Sequence, residues 1–192
     1  MEKYLYLAID FFSLLFPLLF SFYPKANFSA KWKFVWPAIL IPALLFIAWD
    51  EWFTQMGVWG FNPRYLSGTY FLHLPLEEIL FFVCIPYACL FTYEAVNFFI
   101  QKEFMTGNGK RITWVLIAGL SLTGFQNYDR WYTAVTCFAN VVFLLFLVTW
   151  LKPAFLGRFY LVFIFILIPF FIVNGILTGT GLPEPVDRKS VV

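Results

Sequence analysis

Long apolar runs separated by short polar connections fill most of the chain. The runs are Tyr4–Tyr23, Phe34–Trp49, Phe71–Ile100, Ile112–Phe125, Trp131–Leu151 and Phe159–Leu177. A helix needs about 20 apolar residues to cross a hydrocarbon core ~30 Å thick, so the pattern predicts six transmembrane helices. The second and fourth are short; the third is long, with Pro75 placed to start it and Pro86 to kink it. Strand alternation is absent, and in lipid each backbone polar group must find its partner within its own segment, which leaves helices as the spanning element. The expected fold class is therefore all-α, a polytopic membrane helix bundle.

The polar connections orient the bundle. The first, third and fifth hold Lys25, Lys31, Lys33, Lys102, Lys110, Arg111, Lys152 and Arg158, whereas the opposite side has Lys3, Arg64 and Arg130 before the tail. Positive residues favour the cytoplasmic side, so the amino terminus is expected outside, most simply in a bacterial inner membrane. The first run carries Asp10, exceeds a usual signal-peptide core and lacks a small-x-small cleavage site, so it reads as a retained span. In this topology Asp10, Asp50, Glu51, Glu77, Glu78 and Asp129, with Asn127 and Asn174, fall in the outer half or outer rim, and Glu94 and Glu103 near the inner face.

A loose internal repeat is also visible. Spans one and two with "ILIPALLFIAW" and "QMGVWGFNP" resemble span five, "KPAFLGR", "FILIPFFIVNGIL" and "GTGLPEP". The implied plan is a first three-helix repeat over 1–100, a linker helix and loop over 101–130, and a second repeat over 131–186 whose last helix is missing.

Composition agrees with the span pattern. The chain is 61% hydrophobic, 23% aromatic and 12% charged, with a mean hydropathy of +0.78, against about 25% charged for soluble domains. The net charge is +2 with basic residues scattered between apolar runs, which excludes a nucleic-acid face. Cys84, Cys89 and Cys137 lie inside apolar runs and read as packed thiols.

The chemistry concentrates in "FLHLPLEEILFFVCIPY", Phe71–Tyr87, where Glu77 and Glu78 interrupt an otherwise oily run. A charged acid at the bilayer centre costs about 2.5–3.5 kcal/mol on insertion scales, so something must offset it. One reading makes them structural caps: with Pro75 in the first turn, both lie beside free N–H groups and the positive end of the helix dipole. The other is acid–base chemistry, in which an apolar pocket and repulsion from acids such as Asp10 and Asp50 keep one carboxyl protonated while a neighbour accepts protons. Successive helical residues point about 100° apart, so the two glutamates cannot face one pocket equally.

Trp49, Trp52, Trp59, Phe53, Phe61 and Tyr65 surround Asp50 and Glu51 in "AWDEWFTQMGVWGFNPRY". They fit an interfacial aromatic belt, or rings that line a cavity and stabilise a carbocation through their negative faces. His73 reads as a hydrogen-bonded interfacial histidine, and Arg64 as the partner of Asp50 or Glu51. No metal motif appears, and the glycine pairs at Gly107 and Gly179 lack the third glycine of a nucleotide fingerprint, so no cofactor is expected.

"PLEE" at Pro75–Glu78, with "WDEW" and "GVWGFNPRYLSG" before it, resembles the lycopene cyclase domain family, in which a Pro-x-Glu-Glu/Asp motif occurs once in each three-span half. The resemblance covers nearly the whole chain. It implies a membrane isomerase that closes the linear ends of lycopene, or a related C40 polyene, into β-rings without redox change and without a cofactor. It further implies Glu77 and Glu78, with Asp50, as the acid–base residues. Trp49, Trp52, Trp59, Phe81 and Phe82 would line the substrate, with Asp10, Asp129, Arg64 and Pro75 in support. Partners would be membrane lipid and carotenoid-pathway enzymes or a second copy of the chain.

The family pattern leads to the expectation of a seventh span with a second motif after "LPEPV". The chain instead continues "DRKSVV", which matches the translation of a common sequencing adapter, so residues 187–192 are read as an artificial tail on a truncated frame. A family requirement for both motifs would then leave the chain inactive alone. Two rival functions fit the span plan: a small parallel-repeat transporter, and a non-catalytic subunit of a carotenoid complex. Acids gathered toward one face among aromatic residues favour a lipid-soluble substrate over a polar through-path.

Overall fold

The computed structural model describes residues 2–100 and 107–189; Lys102, Glu103 and the last three residues of the expected tail lie outside that range. The elements in order are α1 (Leu5–Phe20), α2 (Trp32–Gln55), β1 (Trp59–Phe61), β2 (Tyr70–Phe71), β3 (Leu74–Pro75), α3 (Leu76–Phe99), α4 (Gly109–Gln126), α5 (Trp131–Phe146), α6 (Leu156–Leu177) and β4 (Asp187–Lys189), and a π-helical turn, Leu147–Leu151, prolongs α5. Among the described residues five helical segments are long and apolar enough to cross a membrane: Glu2–Phe20, Phe28–Gln55, Leu76–Phe99, Trp131–Leu151 and Leu156–Leu177. The fourth expected crossing falls in α4, which is helical but not among the five. The protein is an all-α membrane helix bundle. Its surface is studded with exposed Phe, Leu and Ile side chains such as Phe11, Leu44, Leu45 and Phe171, as an acyl-chain environment permits.

The chain forms two compact units, one made of residues up to Ile100 with those from Ile166 onward, the other of 101–165. In the first, α3 packs against both α1 and α2. Lipid tails are as apolar as the helix surfaces, so this association rests on close packing and interhelical hydrogen bonds rather than on escape from water. Both are present at Tyr87, which is buried with Phe28, Val35 and Ile39. Its hydroxyl is 2.6 Å from Ser21 Oγ and accepts from Trp32 Nε1 at 3.1 Å, joining α3 to the ends of α1 and α2. Farther along, Lys31 and Glu94 form a partly exposed ion pair.

The opposite end of the first unit carries its irregular structure. The third expected span begins at Phe71, but residues Phe71 to Pro75 form a hairpin in which Tyr70 pairs with Pro75 and Phe71 with Leu74. Helix α3 starts only at Leu76, with Pro75 as its extended N-cap residue, since proline cannot donate within a helix but fits its first turn. Leu72, at the hairpin tip, takes a positive φ of 55°. Strand β1 pairs antiparallel with β4, Phe61 opposite Asp187. Tyr6, Tyr65, Leu66, Leu177 and Val186 form the core beneath these segments.

In the second unit α4 packs on α5. The backbones at Gly109 and Gly157 approach so closely that a Cβ on Gly109 would lie 2.5 Å from Gly157 N. Thr113 and Tyr160 share a buried hydroxyl hydrogen bond of 2.7 Å one turn away.

Candidate active site

Four carboxyl groups are buried in the first unit: Asp10 (1% exposed), Asp50 (5%), Glu77 (0%) and Glu78 (6%). Asp50 stands near the end of α2, Asp10 on α1, and the two glutamates in the first turn of α3, where Pro75 stops the strand and leaves the helix start facing inward. The glutamates diverge as the helical geometry requires. Glu77 Oε1 accepts the backbone N–H of Ser67 at 2.7 Å, and Glu77 lies close enough to Asp10 for their charges to interact. Glu78 Oε2 accepts the phenol hydroxyl of Tyr6 at 2.5 Å, and its side chain lies beside that of Asp50.

Asp10 differs from its neighbours. Among the described residues neither of its oxygens has a hydrogen-bond partner, and Glu77 Oε2 also lacks one. The site thus holds a carboxyl with an N–H donor at a helix N-terminus beside a carboxyl with none, a contrast suited to proton exchange.

Other expected residues are distributed differently. Arg64 does not pair with Asp50 or Glu51: its Nε donates to Glu2 at 2.6 Å on the exposed surface, and Glu2 holds the guanidinium pKa above its ordinary value. Glu51 is engaged by His73, whose ring Nδ1 lies 2.5 Å from Oε1 and whose backbone N–H donates to Oε2 at 3.1 Å. Glu51 also takes Gln55 Nε2 at 2.9 Å, so the hairpin tip is fastened to the end of α2. His73 is the hydrogen-bonded rim histidine that its isolation implies. Asp129 is exposed in the turn between α4 and α5, in the other unit.

Trp49 stacks on Phe53 at 4.7 Å and meets the exposed Trp52 edge-on at 6.3 Å. Trp59 is half-buried in β1. Phe82 stacks on Phe46 of α2 at 6.0 Å. Phe81 packs edge-on against Tyr6 at 6.2 Å and lines a cavity of about 290 Å³ between α1, α3 and the second half of α6. Its other walls include Phe12, Phe16, Ile85, Phe170 and Asn174. Three of the five α3 residues of this wall, Phe81, Ile85 and Ala88, follow Glu77 at i+4, i+8 and i+11, so one edge of the cavity runs along the glutamate's own helical stripe.

Tyr6 and Ser67 were not anticipated. Tyr6 had a legible signal: it precedes Asp10 by four residues and therefore shares its helical face. Ser67 had none, because it acts through its backbone and the chain returns to Glu77 only by the hairpin.

Fold and site together define an integral membrane helix bundle that buries a carboxyl cluster beside an apolar cavity. Residues 3–96 and 129–188, most of the chain, match the family model described as lycopene cyclase, and the protein belongs to that family. No curated protein and no solved structure matches it.

Proposed function

We propose that this protein is a membrane lycopene cyclase, closing the linear ends of lycopene or a related C40 polyene into β-ionone rings by redox-neutral acid–base isomerisation. Family membership supplies the substrate class. The observation that supports the reading is the buried cluster of Asp10, Asp50, Glu77 and Glu78, held within a bundle whose helices are long and apolar enough to cross a membrane.

The reaction asks only for what this cluster contains. An acid adds a proton to the terminal alkene, the neighbouring double bond closes on the tertiary cation to form the ring bond, and a base removes a ring proton whose C–H electrons become the ring alkene. Protons in and out balance and no electrons are transferred, so a cofactor has no task. Glu77 and Glu78, with Asp50, are the acid–base residues of this reading, and Tyr6 orients Glu78. Phe81 and the other rings of the apolar cavity offer their faces to cationic intermediates. The Lys and Arg distribution supports a bacterial inner-membrane orientation with the amino terminus outside, and carotenoid-pathway enzymes or a second copy are the natural partners.

Expression in a lycopene-accumulating bacterium tests this. Cyclic product from the chain, lost in Glu77→Gln and Glu78→Gln proteins present at wild-type levels, is the expected outcome; undiminished cyclisation in both variants would remove the glutamates from the mechanism.

A further inference from the structure

The cavity between α1, α3 and the second half of α6 is long rather than round. Its α3 wall extends from Phe81 to Thr92 and its α6 wall from Ile166 to Leu177, each about three turns or ~16 Å of helix. The lining is mostly rings and branched chains, and no charged side chain among the described residues contributes to it. Such a slot suits a linear, uncharged chain.

Four polar side chains interrupt the apolar lining: Ser13 on α1, Cys89 and Thr92 on α3, and Asn174 on α6. Thr92 is engaged, because its hydroxyl donates to the Ala88 carbonyl one turn back at 2.8 Å, and a thiol is only a weak partner. Ser13 and Asn174 differ. Among the described residues neither the Ser13 hydroxyl nor the Asn174 carboxamide has a hydrogen-bond partner, whereas Asn140 of α5 turns its Nδ2 onto the Thr136 carbonyl at 2.9 Å. Pro17, which also lines the cavity, adds an open acceptor to the same wall. Proline has no N–H, so the Ser13 carbonyl, four residues earlier in α1, lacks its helical donor.

Three hydrogen-bonding groups therefore stand open in a lining that is otherwise hydrocarbon. A polar group without a partner in an apolar surrounding is costly, and a ligand that supplies the partner removes that cost. A carboxylate or phosphate would find no cation here, and a bare hydrocarbon would leave all three groups unmet. A hydroxyl has the matching chemistry, since it can give its O–H to the Ser13 carbonyl and accept from the Asn174 Nδ2 or the Ser13 hydroxyl.

We infer that this cavity selects a polyene carrying a hydroxyl group over the bare hydrocarbon, with Ser13 and Asn174 as the residues that set the preference. The inference rests on the cyclase reading for the polyene chain and goes beyond it by placing an oxygen function on the ligand.

The test measures binding to the full chain in lipid nanodiscs, through quenching of its tryptophan fluorescence, with two probes: lycopene, and lycopene hydrated across one terminal alkene so that one end is a tertiary alcohol. The wild type should bind the alcohol at least about fivefold more tightly. Asn174→Leu removes the carboxamide at similar volume and should bring the ratio of the two Kd values to within about twofold of one. Pro17→Ala returns an N–H to the Ser13 carbonyl in a residue that favours helix, so it keeps the test decisive if Asn174→Leu fails to accumulate, and it too should lower the ratio. A wild-type ratio near one, or a preference that survives both substitutions, overturns the proposal. Cyclic product from lycopene is read separately: its absence removes the cyclase reading, and the Kd ratio decides this inference in either case.

Discussion

Replacing Tyr6 by phenylalanine deletes one oxygen, and that oxygen makes the 2.5 Å hydrogen bond to Glu78 in a site where both partners are buried. The ring contact with Phe81 survives, so the perturbation is confined to the bond. Hydrogen bonds to a charged acceptor are worth about 1.5–3 kcal/mol, but bonds between membrane helices average nearer 0.6 and reach about 1.7. The full burial of this pair places it toward the upper end of the second range, about 1–2 kcal/mol. For a chain of this length each kcal/mol shifts the melting temperature by about 2–4 °C, so Tyr6→Phe should melt roughly 2–8 °C lower. Thermal unfolding in detergent, followed by circular dichroism, reads this directly. The sharper comparison repeats the substitution in a Glu78→Leu background. There the tyrosine hydroxyl has lost its acceptor, and removing it should be neutral or stabilising. Equal destabilisation in both backgrounds would refute the claim that the phenol acts through Glu78.

Gly109→Ala should destabilise the second unit by about 1–3 kcal/mol, because the new methyl would lie 2.5 Å from backbone nitrogen that cannot swing aside; a lowered melting temperature with the wild-type fold checks it. Tyr87→Phe removes the acceptor of Trp32 Nε1 and one of the two partners of Ser21 Oγ, which keeps its bond to the Pro17 carbonyl, and should cost about 1 kcal/mol by the same assay. Lys31→Ala removes a half-exposed ion pair with Glu94, and its effect should stay below about 1 kcal/mol and shrink as salt is raised. Ser67→Pro deletes the N–H that supports Glu77 while leaving the glutamate in place, so cyclisation should fall at least tenfold by product chromatography, and retained activity would show that this N–H does not tune the site.

Much of the bundle was legible in the linear pattern because hydrocarbon imposes a simple rule: a segment that crosses must be apolar, about 20 residues long and helical. The helices occur where the apolar runs are, and Pro75 starts α3 for the covalent reason that it has no N–H to give. Burial of Asp10, Glu77 and Glu78 likewise followed from acids set inside oily segments, whereas Asp50, one residue past an apolar run, is buried by the way α2 meets α3. The boundaries were less legible. Phe71 and Leu72 are as apolar as any spanning residue, and only pairing with Leu74 and Pro75 places them in a hairpin rather than a helix.

What the sequence determined alone was the class of structure and the burial of the acids inside its spans, Asp10, Glu77 and Glu78, since both depend on each residue's solubility in lipid. Which acid meets which partner was decided by tertiary structure: Arg64 went to Glu2, Glu51 to His73, Glu78 to Tyr6 and Asp50, and Asp10, among the described residues, to no hydrogen-bond donor. Hydrogen bonds are short and directional, and these join residues up to 72 positions apart, so they depend on how helices and turns come together, which hydropathy along the chain does not encode.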